Sequence, residues 1–310
     1  MTRRNDPCHC GSGKRYKQCC GRQETSASAN QQGKPEDIGN EIGAAMASSW
    51  SQAQTRFTCP VCRGACLLFD VVDFNKSCEE AKGKYLNLSG IPVYYARCVI
   101  CEFCFAPMFS NWSPEEFALR IYNDQYVKVD PDYIEVRPRY NAAALISTFG
   151  SLPASVRHLD YGGGNGLLST LLRKSNWNSR SYDPFVDRDT KIEQLGQFDF
   201  ITAYEVFEHT SDIQKLMSDL RLLLSPGGFI LFSTLLSDGN VRANRRLSNW
   251  WYASPRNGHM SLFSGKCVAR LGQNSGWNFR SFDNGHHVFF TAVPPWAPQT
   301  FWARLPGDPA

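Results

Sequence analysis

Twelve cysteines mark this 310-residue chain, and eleven of them fall within the first 104 residues. Clustered pairs at short spacing, with no export signal, read as metal sites rather than disulfides. Cys8, Cys10, Cys19 and Cys20 follow the spacing Cys-x-Cys-x8-Cys-Cys, which can close four thiolates around one zinc ion at about 2.3 Å. So short a head has no apolar core, and the metal would have to hold it folded. A second set, Cys59 and Cys62 in CPVC with Cys98 and Cys101 in CVIC, has the plan of a zinc ribbon. Cys66, Cys78 and Cys104 leave Cys101 with Cys104 as an alternative pair, and buried free thiols as an alternative to metal. Each set has four ligands and no open position, which makes both structural.

A different chemistry is written at residues 158–172, HLDYGGGNGLLSTLL. A strand-like run ends at Asp160, glycines follow at 162, 163, 164 and 166, and a helix-like run starts at once. Glycines there let the chain turn sharply and let a ligand approach the helix N-terminus. The dinucleotide fingerprint needs Gly-x-Gly-x-x-Gly, whereas the residue three beyond Gly164 is Leu167, which argues against a nicotinamide cofactor. Asp183, in SRSYDPF, ends the next strand, where a carboxylate can take both hydroxyls of a ribose. A turn before Pro184 is its plainer use.

These residues need elements to hold them. Residues 1–22 form the cysteine-rich head, and 23–55, rich in Gln, Ser, Ala, Asn and Gly, have the composition of a flexible linker. Within it Ile38, Ile42, Met46 and Trp50 recur every fourth residue, as in a short amphipathic helix. The second cysteine set lies in 56–110 among β-branched and aromatic residues, which predicts short strands. Over 111–150 the pattern is a helical connector: Ser113-Pro114-Glu115-Glu116 supplies a cap, and a second helix runs from Pro138 to about Gly150. From Val156 strand-like and helix-like runs alternate, ending in NFRSF and HHVFFTAV as a closing antiparallel pair. That alternation predicts an α/β fold over 151–293: a Rossmann-like, mostly parallel sheet, preceded by the two small zinc-binding modules. The Pro-rich end, 294–310, reads as a loose tail.

The stretches LDYGGGNG, YDPF, FDFITAYEVFEH and LSPGGFILFST, in that order over residues 156–234, resemble the class I S-adenosylmethionine-dependent methyltransferases of the ubiquinone-biosynthetic and sugar C-methyltransferase type. The resemblance implies S-adenosyl-L-methionine as cofactor, with Asp160, the backbone of Gly162 and Gly164, and Gly166 in the loop at its methionine and ribose end. It implies that Asp183 holds the ribose hydroxyls and that Glu205, ending the fourth strand, stands beside the methyl group. Between Asp183 and Phe198 only 14 residues remain where the family fits a helix, a third strand and an acidic adenine contact. The third strand is therefore short or missing, with Asp187 or Asp189 left to stand in for the acid. The head, RNDPCHCGSGKRYKQCCG, resembles the SEC-C motif, the zinc-binding tail of the SecA translocation ATPase. That implies zinc on its four cysteines and docking to a protein or ribosomal partner. Sugar C-methyltransferases carry a similar amino-terminal zinc module, which supports zinc on the second set.

Methyl transfer from a sulfonium needs alignment above all, and a base only where the acceptor must lose a proton. Glu208 and His209, just past the fourth strand, and His259 in PRNGHMSLFS are the candidates. A helix cap and a solvated loop histidine are the plain alternatives, and His158, His286 and His287, in strands, are weaker candidates. Residues 235–264 are long for a strand-to-helix connection. They read as a substrate cap offering Arg242, Arg245, Arg246 and Arg256 to an anionic group, or as aromatics packed on the sheet edge. Tyr122, Tyr126 and Tyr133 can close over the cofactor or fill the core.

Composition bounds the rest. The chain is 42% hydrophobic and 20% charged, and no run approaches the roughly 18 apolar residues of a membrane span. The net charge of +4 is +5 over residues 1–22 and −1 over the remainder, which argues against nucleic acid as the substrate. The start, MTRRNDPCHC, has no apolar stretch after its arginines and predicts a cytoplasmic protein. The expectation is methyl transfer to a small molecule. The alternative is an inactive, methyltransferase-like binding module tethered through the head.

Overall fold

The computed structural model describes residues 57–305 apart from Ala243, together with Arg15 and Gln18. The head ligands Cys8, Cys10, Cys19 and Cys20, the linker with its Ile38-to-Trp50 pattern, and residues 306–310 lie outside the described residues. The chain divides into two units, Met1–Gln54 and Thr55–Ala310, and the second is the one with described elements.

The β-branched and aromatic residues of 56–110 build four strands: β1 (Phe57–Thr58), β2 (Ala65–Asp73), β3 (Pro92–Cys98) and β4 (Cys104–Phe105). Three helices come next: α1 (Pro114–Arg120), α2 (Tyr126–Val129) and α3 (Val136–Phe149). Ser113 caps α1 in a full capping box with Glu116. α3 starts two residues before Pro138, which sits in the first turn, where its missing N–H has no helical acceptor to lose.

The alternating runs then give β5 (Arg157–Tyr161), α4 (Leu167–Lys174), β6 (Asn178–Tyr182), β7 (Phe198–Ala203), α5 (Ile213–Leu223) and β8 (Leu224–Ser233). After these come β9 (Ser261–Leu262), α6 (Gly265–Asn274), β10 (Asn278–Ser281), β11 (His286–Phe290) and α7 (Gln299–Trp302). The main sheet has the order β10-β11-β8-β7-β5-β6. β6, β5, β7 and β8 are parallel, and β11 is antiparallel to both β8 and β10. The fold is thus α/β and Rossmann-like, with the antiparallel closing pair. Among the described residues no strand lies between Tyr182 and Phe198, so the third strand is missing and β6 is the sheet edge.

Three apolar cores result. α3, α4 and α7 cover one face of the sheet through Leu145, Phe149, Leu172 and Phe301. α5 and α6 cover the other, where Leu216, Leu220 and Leu271 meet Ile201, Ile230 and Phe232. The third core lies between the cysteine strands and the 235–264 segment, around Tyr95, Leu247, Trp250 and Leu262.

Two readings of the sequence change here. The cysteine module is not separate from the later part of the chain, because β9 completes its sheet in the order β1-β2-β3-β4-β9. The end of the chain is not loose as far as Leu305, because Trp296 stacks on Phe229 at 5.5 Å and Phe301 packs against Phe149 at 4.8 Å. Aromatic side chains set among prolines supply the burial that composition hid. No helix among the described residues is long and apolar enough to cross a membrane.

Candidate active site

The residues singled out in 158–209 meet along the C-terminal edge of the parallel strands, where open α/β sheets bind ligands. β5 delivers Asp160 and the glycine turn. Gly162, Gly164 and Gly166 all take positive φ, at 74°, 55° and 72°. Gly163 is required for space: a Cβ there would stand 2.2 Å from Ser181 Oγ and 2.6 Å from Asp160 Oδ2. The turn is tied to β6 by Gly162 N–H donating to the Tyr182 carbonyl at 2.7 Å, and by Gly164 N–H donating to Asp183 Oδ2 at 3.0 Å. Asp183 Oδ1 accepts from Phe185 N–H at 2.8 Å, so its carboxylate is oriented from both sides. Asp187 is spent closing the same turn, accepting from Asp183 N–H at 2.8 Å.

Asp160 lies beneath the loop rather than lining it, 4% exposed. Its carboxylate accepts from Thr202 Oγ1 at 3.0 Å, and burial pushes its pKa up to about 7 against that hydrogen bond. Glu205 stands past the end of β7 at φ 54°, a conformation non-glycine residues seldom take. Ser233 at the end of β8 holds it there, accepting from Glu205 N–H and donating to its carboxylate, both at 2.8 Å. Arg137 of α3 reaches the other carboxylate oxygen at 3.3 Å and also pairs with Asp130.

Beside Glu205, the chain gathers Glu208, His209 and His259, whose ligand atoms lie within 4.8 Å of one another. Both Glu208 oxygens are buried without a hydrogen-bond partner among the described residues. Burial therefore drives its pKa well above the usual carboxyl range, and the nearby Glu205 charge adds to this. His209 and His259 stack edge-on at 4.8 Å. Burial lowers His259 to about 4 and His209 well below its ordinary value, so both are neutral at pH 7. His259 Nδ1 lies 2.7 Å from the Tyr252 carbonyl, which can only accept; Nδ1 therefore carries the proton and Nε2 the lone pair. Tyr122 contacts His209 Nδ1 at 3.2 Å and packs on Phe185, and Asn165 Nδ2 donates to the Ile134 carbonyl at 3.3 Å. The connector thus borders the glycine turn. The neutral histidines can accept a proton from an acceptor hydroxyl, or the three groups can together hold a divalent cation.

The remaining histidines among the described residues are structural. His158 bridges Ser179 and Thr202 inside the sheet, His287 contacts Ser281 and the Thr234 carbonyl, and His286 pairs with Asp283 on the surface. Three of the four arginines of the expected cap are engaged with protein groups. Arg256 donates to the Ile121 carbonyl in the interior, Arg246 pairs with Asp70, and Arg245 reaches Asn240 and the Gly239 carbonyl.

Of the described cysteines, Cys59, Cys62, Cys98 and Cys101 form a cluster that could hold a metal. Their closest sulfur pairs, Cys59–Cys101 and Cys62–Cys98, are 3.5 and 3.4 Å apart, near the spacing of about 3.8 Å that tetrahedral zinc–sulfur bonds of 2.3 Å require. The two knuckles match bond for bond: Arg63 N–H donates to the Cys59 carbonyl and Glu102 N–H to that of Cys98, at 3.0 and 3.2 Å. Arg63 and Glu102 both take positive φ, at 62° and 65°. Ile100 and Cys101 N–H groups point at Cys98 Sγ, as they would at a thiolate. The fit to zinc is good. Cys104 faces the third core instead, which leaves no Cys101–Cys104 pair.

Sequence reasoning left Cys78, Arg137 and Ser233 out of the site. Cys78 Sγ stands 3.9 Å from His259 Nδ1, across a separation of 181 residues that no local pattern reports.

Residues 133–281 match the family model described as a methyltransferase domain, and residues 4–22 match that of the SEC-C motif. A ubiquinone biosynthesis O-methyltransferase of Xanthomonas axonopodis pv. citri (strain 306) is 32% identical over 106 residues, covering 27% of this chain and 44% of that protein. The protein of the same name from Bordetella avium (strain 197N) is 28% identical over 103 residues, covering 26% and 42%. The chain thus spans between about one-fifth and two-fifths of the length of the curated relatives it matches. Among solved structures, an O-methyltransferase family protein from Burkholderia thailandensis aligns at a TM-score of 0.41 and 13% identity, over 59% of this chain and 64% of that one.

Proposed function

Because the chain carries a class I methyltransferase domain behind a SEC-C motif, we propose that it transfers a methyl group from S-adenosylmethionine to a hydroxyl of a small molecule. The observation that carries this reading is the Glu208–His209–His259 group, whose first member follows closely on Val206, the residue set against Gly162 of the glycine turn. A nucleophile with no proton to lose would need no such group, and the relatives named O-methyltransferases are consistent with an oxygen acceptor.

Bound S-adenosylmethionine supplies an electrophilic methyl group and leaves as a neutral thioether. The glycine turn would give backbone room for it, and Asp183 would accept the ribose hydroxyls with a carboxylate already oriented by Gly164 and Phe185 N–H groups. Glu205, clamped by Ser233, borders the transfer path. His259 Nε2 takes the acceptor proton as the oxygen–carbon bond forms. The buried walls exclude water, which favours alignment over solvation. Glu208, His209 and His259 could instead hold a divalent cation, which would satisfy the unpartnered Glu208 oxygens and polarise the acceptor hydroxyl. That second reading uses the same three residues.

The cysteine cluster is read as structural zinc, as is the head, where Cys8, Cys10, Cys19 and Cys20 would close a docking knuckle for a protein or ribosomal partner. Eight thiols are free among the described residues, which suits the reducing cytoplasm.

The test is transfer of a labelled methyl group from S-adenosylmethionine into a small-molecule extract. The reading expects label in the low-mass fraction, abolished by His259→Asn, whereas Glu208→Gln abolishes it only where a cation is held. Chelation of divalent cations discriminates base from cation. Label confined to macromolecules, or none, contradicts the reading.

A further inference from the structure

Resting on the methyl-transfer reading, we propose that the cysteine cluster is the positioning device of the acceptor site, so that the metal held by Cys59, Cys62, Cys98 and Cys101 sets where His259 stands. The segment 254–264 has little regular structure of its own: one turn of 3-10 helix and the two residues of β9. The connector holds Arg256 and Asn257 through Ile121, Tyr126 and Val129, and the cysteine module supplies the anchors on either side of His259. Arg256 N–H donates to the Lys76 carbonyl at 3.1 Å, and Cys78 N–H to Asn257 Oδ1 at 2.8 Å. The buried Tyr95 hydroxyl donates to the His259 carbonyl at 2.7 Å, and Ala106 N–H to that of Met260 at 2.9 Å. β4 pairs Cys104 with Leu262 and Phe105 with Ser261, and Ser264 Oγ donates to the carbonyl of Cys101, itself a cluster residue.

On its other side the same segment meets the loop after β7. Met260 N–H donates to the Glu208 carbonyl at 3.0 Å and Ser261 Oγ to that of Thr210 at 2.7 Å. The segment is therefore clasped between the module and the loop that carries Glu208 and His209. The knuckles end on sulfur, and β1 and β4 are only two residues long, so a metal is the natural lock for their geometry. Releasing it would loosen β4 and with it the His259 segment. The glycine turn, Asp183 and Glu205 depend on β5 to β8, none of which pairs with the module, although Cys59, Cys98 and Cys101 share an apolar core with Leu159 and Ile201. Metal loss should thus disturb the acceptor side, which is hydrogen-bonded to the module, more than the cofactor side, which only packs on it.

The experiment uses the full zinc-loaded chain with labelled histidines. Long-range nitrogen–proton spectra follow the imidazoles, with metal content and S-adenosylhomocysteine affinity measured in parallel. Cys62→Ser, at the least buried ligand, should remove one equivalent of zinc and shift or broaden the His259 and His209 signals. His158 in β5 should hold still and the affinity change less than threefold. Tyr95→Phe should move the His259 signal with zinc content intact, and it keeps the test sound if the cysteine variant folds poorly. An unmoved His259 in Tyr95→Phe overturns the proposal. So does a Cys62→Ser variant that loses zinc without disturbing His259, or one that loses His158 order and affinity together, since the metal would then support the whole fold. Absence of S-adenosylhomocysteine binding to the parent chain would instead sink the methyl-transfer reading and leave the histidine signals to judge the coupling.

Discussion

Two residues carry strain or burial that function would have to use. Gly258, at φ 88°, lies so close to the histidines that an added Cβ would stand 2.7 Å from Tyr122 Oη and 3.0 Å from His209 Nδ1. Gly258→Ala should cost about 1–3 kcal/mol in chemical denaturation and displace His209, seen as a shifted imidazole signal. An unchanged signal and stability would show that the approach is looser than the geometry indicates. Asp160 gives a prediction with a sign. Its folded pKa, raised to about 7 by burial from an ordinary value of 3.8, means that the native state holds a proton the unfolded chain releases. That stabilisation is complete below about pH 4 and is lost as pH rises through 7. Asp160→Asn cannot ionise, so its stability relative to the parent should rise by about 2–3 kcal/mol from pH 5 to pH 8, at about 1.36 per pKa unit. A flat difference across that range contradicts it. Both features escape sequence reading for a physical reason. A glycine's φ is local, but the atoms its Cβ would strike are not.

Elements were legible in proportion to how local their cause is. The glycine turn, the cap at Ser113 and the alternating runs from Val156 announce themselves, because propensity and periodicity act within one element. The missing third strand was legible too, as 14 residues cannot hold a helix and a strand with their turns. β9 was not. Its two residues, Ser261 and Leu262, are a strand only because Cys104 and Phe105, more than 150 positions earlier, present their edge. The docking of α7 was hidden by prolines that read as disorder, although Phe301 is 4% exposed. Phe301→Ala should therefore destabilise by about 3 kcal/mol, as core phenylalanines do. A loss below about 0.5 kcal/mol in urea titration would mean that the tail only rests on the sheet.

At the scale of the molecule, two metal-type cysteine sets flank a linker, and the second is built into the domain that would do the chemistry. The sequence allowed a separate ribbon and a separate cap; the structure joins them through one sheet and one apolar core around Tyr95 and Trp250. That union explains why the candidate acceptor residues come from both ends of the unit, with Cys78 beside His259 and Tyr122 beside His209. The proposed cofactor side, by contrast, draws only on β5, β6 and the strands next to them, and its residues are the ones that LDYGGGNG and YDPF single out. The central claim is that this edge binds S-adenosylmethionine through Asp183. Calorimetric titration of the zinc-loaded chain measures it directly. The account predicts micromolar affinity, about −8 kcal/mol, weakened at least tenfold by Asp183→Ala. A folded chain that binds no S-adenosylmethionine, or an Asp183→Ala variant that binds it equally well, would contradict the account.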